Sequence, residues 1–255
     1  MLGHINDRNV SAEQRIQACF HALVENTPKA AEALKQGLRD DPSPIVRHEC
    51  AYSLGEMDPE LGYQALLTAI KQDDNPFVIH EAALAVSNLG IAEAEPLLQS
   101  LLDHNNADVV RTAKISLQRL QMRLNEEVIR LEDAKTIILD LDQPEEYRIQ
   151  ASFLLMEEGS LDSVAILIKA LQQETDPIVK HEIIFSLGET AASTVIEPLV
   201  HEMLTDNNPF VKHEAALALA TIGNLEARQP IQQLLDHNHP AIVESAEIAL
   251  ERLTT

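Results

Sequence analysis

An internal duplication is the feature that most restricts the fold of this chain. PIVRHECAYSLGE at residues 44–56 and PIVKHEIIFSLGE at residues 177–189 are nearly the same peptide, at an offset of 133 in residue number. NPFVIHEAALAV at residues 75–86 and NPFVKHEAALAL at residues 208–219 repeat each other at the same offset. Self-similarity at a fixed offset indicates an architecture assembled from similar units. The sequence therefore predicts two homologous halves.

A shorter, 32-residue period divides each half into four repeats. One position, here called the phase position, recurs at this spacing through each half. It is occupied by Ile16, His48, His80 and Thr112 in the first half and by Ile149, His181, His213 and Ser245 in the second. We predict repeats 1–4 in residues 1–123, a linker at residues 124–133, and repeats 5–8 in residues 134–255.

Each repeat is predicted to contain two α-helices. Asp or Asn followed by Pro, as in DDNP at residues 73–76, precedes an apolar run, which is typical of a helix start. Within one such run Val46, Cys50 and Leu54 lie at helical spacing. A second amphipathic segment precedes each run, for example VAILIKALQQ at residues 164–173. This pattern predicts an all-α fold, an α-α superhelix (solenoid) of eight HEAT-like repeats.

Composition and charge exclude several classes of protein. The chain has 19 Lys and Arg against 41 Asp and Glu, a net charge of −22, which disfavours binding to nucleic acid. Two cysteines are too few for a disulfide framework or a thiolate metal site. No stretch is apolar enough to span a membrane, and the first residues contain no apolar signal core. We expect a soluble, cytoplasmic protein.

The phase position carries the dipeptide His-Glu in the two middle repeats of each half. The pairs are His48-Glu49, His80-Glu81, His181-Glu182 and His213-Glu214. The outer repeats carry other residues there, so the repeat itself does not require the pair. Each pair presents two polar side chains on one broad face near a helix N-terminus. The pairs predict a site assembled from the central helices, and the alternative is a ladder of structural hydrogen bonds. A fifth pair, His201-Glu202, is out of phase and is interpreted as a chance occurrence.

These side chains predict metal ligands. Histidine and glutamate without cysteine suit Fe(II) or Mn(II) and could also hold Zn(II). The duplication favours two metals, because each half supplies two histidines and a glutamate. Sets of two histidines and one carboxylate are associated with non-haem iron and O₂ chemistry.

The repeats and the phased pairs resemble a known family. Eight HEAT-like repeats in two halves, with His-Glu in the contexts VRHECAYSLGEM and NPFVIHEA, resemble the deoxyhypusine hydroxylases, di-iron monooxygenases that complete hypusine synthesis on a translation initiation factor. The resemblance covers essentially the whole chain. It implies two Fe(II) per chain and O₂ as co-substrate. One iron would be bound by His48, His80 and Glu81, and the other by His181, His213 and Glu214. Glu49 and Glu182 would receive the cationic side chain of the substrate.

The resemblance also implies partners. The substrate would be a protein whose basic loop carries deoxyhypusine, which suits an acidic chain, and an electron donor of unknown identity would be required. We expect a monomer that binds neither nucleic acid nor membrane. Three alternatives stay open: a HEAT-repeat di-iron oxygenase with another substrate, a non-catalytic HEAT-repeat binding scaffold, and a chromophore-handling protein similar to the phycobilin lyases.

Overall fold

The fold is known from a computed structural model that describes residues 2–254. Regular secondary structure in this range is entirely helical, so the predicted all-α class is confirmed. The chain divides into two compact units, Met1–Glu127 and Val128–Thr255. The last helix of the first unit ends at Leu124 and the first helix of the second begins at Leu131, which leaves residues 125–130 as a non-helical connection. Between residues 2 and 254 no helix has both the length and the apolar character needed to cross a bilayer.

The order of helices in the first unit is compatible with the predicted repeats. The helices are α1 (Ala12–Glu25), α2 (Pro28–Asp40), α3 (Pro44–Gly55), α4 (Pro59–Gln72), α5 (Pro76–Asn88), α6 (Glu95–Ser100) and α7 (Ala107–Leu124). The phase position falls on α1, α3, α5 and α7, and each of these helices packs on the next. The first repeat differs from the prediction of two α-helices. Among the described residues before α1 only a 3-10 turn forms, at Leu2–His4, because this segment is short and mostly polar.

The second unit has a similar order of helices, but it begins with an α-helix where the first unit has the 3-10 turn at Leu2–His4. Its helices are α8 (Leu131–Ile137), α9 (Glu145–Glu158), α10 (Leu161–Gln173), α11 (Pro177–Glu189), α12 (Ile196–Thr205), α13 (Pro209–Ile222), α14 (Arg228–Gln232) and α15 (Pro240–Arg252). Its phase positions lie on α9, α11, α13 and α15, which again pack in series. In the last repeat of both units the first helix is short and is flanked by 3-10 turns.

Ion pairs between consecutive repeats fix the register of these helices. A basic residue directly before the phase position binds a carboxylate of the following repeat, in the pairs Arg15–Asp41, Arg47–Asp73, Arg148–Glu174 and Lys180–Asp206. The carboxylate also accepts a backbone N–H at the start of the next helix; Asp73, for example, accepts from the amide of Asn75 at 2.9 Å. One side chain thereby links one repeat to the helix start of the next.

Glycine allows the helices that carry the histidines to approach closely. A Cβ atom on Gly55, at the end of α3, would lie 2.5 Å from the Cβ of Ala85 on α5. A Cβ on Gly188 would lie 2.8 Å from that of Ala218, between α11 and α13. Both distances are shorter than van der Waals contact. Glycine and alanine at these positions therefore set the spacing of the two helix pairs.

Candidate metal centre

Two histidines and a glutamate meet between α3 and α5 of the first unit. The rings of His48 and His80 stack with centroids 6.3 Å apart and planes 14° apart. The Nε2 atom of His48 lies 3.3 Å from Oε2 of Glu81. One ligand atom from each of the three residues lies within 4.8 Å of the others, and all three side chains are buried. His48, His80 and Glu81 are called the first triad below.

The second unit repeats the ring stacking and the histidine–glutamate contact between α11 and α13. The rings of His181 and His213 have centroids 6.3 Å apart and planes 17° apart. Nε2 of His181 lies 3.4 Å from Oε2 of Glu214. His181, His213 and Glu214, the second triad, are likewise buried. The structure thus brings together, within each unit, the residues that the resemblance assigned to one iron.

The spacing of the donor atoms fits a metal ion. Two ligand atoms, each about 2.1 Å from one ion and separated by an angle of about 90° to 109°, lie roughly 3.0–3.4 Å apart. The observed nitrogen-to-oxygen distances of 3.3 Å in the first triad and 3.4 Å in the second agree with this range. Imidazole and carboxylate donors without thiolate also suit a divalent ion such as Fe(II), Mn(II) or Zn(II). The residues present therefore fit one metal in each unit.

The two glutamates predicted to receive the substrate lie beside their own histidines. Oε1 of Glu182 is 3.1 Å from Nδ1 of His181, within hydrogen-bond distance. Oε1 of Glu49 is 3.5 Å from Nδ1 of His48. Both carboxylates are buried and border the triads. Each can therefore influence the orientation of the neighbouring ring, a role that sequence reasoning did not assign to them.

Two further residues of the cluster were missed in the sequence. Thr112 on α7 and Ser245 on α15 contact the Nδ1 atoms of His80 and His213 at 2.8 and 2.7 Å. In the sequence, these two residues indicated only that the last repeat of each half lacks the His-Glu pair. A signal was present nevertheless, because both residues carry a hydroxyl group exactly one repeat period after a histidine.

The out-of-phase pair lies elsewhere. His201 is exposed on α12, and the carboxylate of Glu202 binds Nζ of Lys180 at 2.8 Å. Burial acts to lower the pKa of Lys180, but the bonds to Asp206 and Glu202 outweigh burial and raise this pKa above its ordinary value. Glu202 therefore belongs to an ion-pair cluster of the second unit.

Comparison with known proteins agrees with the helical repeats. The profile of the family described as HEAT repeats matches residues 31–118 and 137–251, which is most of the chain. The chain belongs to the HEAT-repeat family. A relative of this HEAT-repeat protein is deoxyhypusine hydroxylase-B of Oryza sativa subsp. japonica. The two are 26% identical over an alignment 285 residues long, which covers 99% of this chain and 92% of the relative. Deoxyhypusine hydroxylase of Schizosaccharomyces pombe is 26% identical over 281 residues, 97% of this chain and 88% of the relative.

A solved structure shares the fold of this HEAT-repeat protein. Human deoxyhypusine hydroxylase in complex with glycerol matches with a TM-score of 0.84 and 23% identity, over 99% of this chain and 94% of the human chain. At this identity the match shows a common fold. Together with the plant and yeast relatives, it confirms the resemblance that the phased His-Glu pairs indicated.

Proposed function

We propose that this HEAT-repeat protein is a deoxyhypusine hydroxylase with two iron ions, which uses O₂ to hydroxylate the deoxyhypusine side chain of a translation initiation factor. The observation that carries the proposal is the buried cluster of His48, His80 and Glu81 in the first unit. The second unit repeats its ring stacking and its histidine–glutamate contact. Relatives that bear the name of this enzyme align with nearly the whole chain.

The metal ligands follow from the triads. In this proposal His48, His80 and Glu81 hold one iron, and His181, His213 and Glu214 hold the other. When bound, the irons would supply the activation of O₂ that insertion of oxygen into a C–H bond requires. The overall reaction also consumes two electrons and two protons, so that one oxygen atom enters the substrate and the other leaves as water. An external electron donor must supply these electrons.

The protein itself binds and orients the substrate side chain. Deoxyhypusine carries cationic amines, and carboxylates form strong charge-assisted hydrogen bonds with such groups. Glu49 and Glu182 place carboxylates next to the triads and largely away from water. A low local dielectric strengthens the attraction between amine and carboxylate. We assign to these two residues the binding of the amine, which fixes the position of the carbon to be hydroxylated.

The charge of the chain suits a basic protein substrate. A net charge of −22 should attract a basic loop and raise the association rate, an effect that salt screens over a Debye length of about 8 Å at physiological ionic strength. Turnover should be compared for the deoxyhypusine-bearing factor, its unmodified lysine form and free deoxyhypusine, at low and high salt. The modified factor should react fastest and lose rate in salt. Equal rates for all three substrates, or rates independent of salt, would contradict this mode of docking.

The iron content of matched variants tests the metal centre. His48→Ala and His181→Ala should each lose about one of the two irons and abolish turnover, because each removes one ligand from one triad. His201→Ala is the control, since His201 is exposed and lies outside both triads. It should keep both irons and full activity. Full iron content and activity in either triad variant would remove that histidine from the centre. A metal-free wild-type protein of full stability would favour the scaffold alternative.

A further inference from the structure

The hydroxyl group of Thr112 lies within hydrogen-bond distance of two polar groups. Oγ1 of Thr112 is 2.8 Å from the backbone carbonyl oxygen of Asp108, one helical turn earlier on α7. The same oxygen is 2.8 Å from Nδ1 of His80 on α5. Both side chains are fully buried, so bulk water does not compete for these bonds.

Ser245 repeats this arrangement in the second unit. Its Oγ is 2.6 Å from the carbonyl oxygen of Ala241 on α15 and 2.7 Å from Nδ1 of His213 on α13. Serine and threonine differ in shape but share the hydroxyl group. The common feature of the two units is therefore the hydroxyl group and its two bonds.

The chemistry of a hydroxyl group gives the direction of each bond. A hydroxyl has one hydrogen, and a carbonyl oxygen can only accept. When the hydroxyl donates to the carbonyl, it must accept from the imidazole, so Nδ1 carries the proton. A neutral imidazole has one N–H, which places the lone pair on Nε2. That lone pair is what binds a metal, and the partner of the other nitrogen selects the tautomer.

We propose that Thr112 and Ser245 are positioning residues that hold His80 and His213 in the tautomer with the proton on Nδ1, so that Nε2 is the metal ligand. This inference rests on the metal centre of the proposed function. It also explains why the last repeat of each unit lacks a histidine at the phase position: a hydroxyl there completes the ligand of the preceding repeat. At His181, the other histidine of the second triad, the Nδ1 atom has the carboxylate of Glu182 as its partner.

Replacing the hydroxyl of Thr112 by a methyl group, which keeps the volume of the side chain, tests the proposal. Thr112→Val should leave the N–H of the buried Nδ1 of His80 without its acceptor, which disfavours this tautomer. Thr112→Ser restores the hydroxyl. Thr68→Val is the matched control, because the hydroxyl of Thr68 also bonds a carbonyl one turn earlier, that of Gln64 at 2.8 Å, but is exposed on α4. Ser245→Ala and Ser245→Thr form the same series for His213.

Two measurements on the metal-free protein and its metal complex distinguish positioning from a structural effect. Long-range proton–nitrogen NMR spectra of imidazole-labelled apoprotein, at a pH where the rings are neutral, should show Nδ1–H at His80 and His213. Thr112→Val should change the signature of His80 alone. Titration calorimetry with Zn²⁺ should show that one of two sites weakens about 10- to 100-fold in Thr112→Val, the range typical of a lost ligand-orienting partner. Thr112→Ser should restore both readouts, and Thr68→Val should change neither.

Several results would overturn the inference. These are Nε2–H tautomers at His80 and His213 in the wild type, an unchanged tautomer and affinity in Thr112→Val, or a failure of Thr112→Ser to rescue a variant that remains folded by circular dichroism. A wild-type protein that binds no Zn²⁺ would overturn it together with the proposed metal centre. A protein that binds the metal and responds as expected, yet does not hydroxylate deoxyhypusine, would support this inference and contradict the proposed substrate.

Discussion

Replacing Arg148 by methionine should destabilise the protein more than the same change at Lys180 or Lys135, two other cations of the second unit. Nε and Nη2 of Arg148 bind the two carboxylate oxygens of Glu174 at 2.8 and 3.2 Å. The two side chains are 5% and 1% exposed. Methionine keeps much of the aliphatic length but removes the charge, so the carboxylate stays buried without its cation.

The expected losses follow the burial of each pair. Losing one partner of a buried ion pair costs about 3–5 kcal/mol, which we expect for Arg148→Met. Lys180 and its partner Asp206 are each 16% exposed, and Lys180→Met should cost about 1.5–3 kcal/mol, as for a hydrogen bond to a charged group. Lys135 and its partner Asp162 are 43% and 68% exposed. Lys135→Met should therefore cost the least of the three, because an ion pair exposed to solvent contributes little to stability.

Urea denaturation followed by circular dichroism measures these free energies of unfolding, because urea, unlike guanidinium chloride, does not screen ion pairs. All three changes lie in the second unit, so the same compact unit is compared. The double variant Arg148→Met/Glu174→Met should recover part of the lost stability, since no uncompensated charge remains buried. The recovery should be incomplete, because the backbone N–H groups of Thr175 and Asp176 lose the carboxylate that accepts their hydrogen bonds. Burial is refuted as the cause if Lys135→Met costs as much as Arg148→Met, or if the double variant is no more stable than Arg148→Met alone.

Three further predictions concern the candidate site and the stability of the helices. Glu81→Ala should lose about one iron. Glu49→Ala should keep both irons and raise the KM for substrate, because the carboxylate of Glu49 lies 3.5 Å from the imidazole of His48 in the wild type. Equal iron losses in the two variants, measured by metal analysis, would contradict separate roles. Gly188→Ala should lower the free energy of unfolding in urea by about 1–2 kcal/mol, because the overpacking cost exceeds the gain in helix propensity. Ala218→Gly should partly restore the stability of that variant, since it removes the Cβ atom 2.8 Å away, and an unchanged Gly188→Ala protein would contradict the close approach. Glu158→Gln should destabilise the protein at neutral pH, because hydrogen bonds from two serines and a backbone N–H lower the pKa of Glu158 from 4.5 to about 2 in the folded chain. The difference from wild type in thermal unfolding should vanish as the pH falls from 4.5 towards 2, as the wild-type carboxylate becomes protonated, and a difference independent of pH would refute this cause.

The sequence alone determined the helical class and the histidines and glutamates of the candidate site. Helix starts such as Asn75-Pro76 act locally, through one side chain and the backbone of the next turn, so they can be recognised without knowledge of the fold. The 32-residue period identified His48, His80 and their counterparts, since a repeat places equivalent residues at equivalent positions. The segment before α1 could not be predicted from this period, because its few apolar residues support only a 3-10 turn at Leu2–His4.

Only the tertiary structure decided which side chain faces which ring nitrogen. The spacing offered His48 two glutamates, its neighbour Glu49 and the more distant Glu81. The packed helices place Glu81 at Nε2 and Glu49 on the side of Nδ1. Likewise, nothing local connects His80 with Thr112, which are separated by a full repeat and meet only when α5 packs on α7. Such contacts depend on the distance and rotation of neighbouring helices. Those are fixed by small residues at close contacts and by ion pairs between repeats, which join positions far apart in the chain.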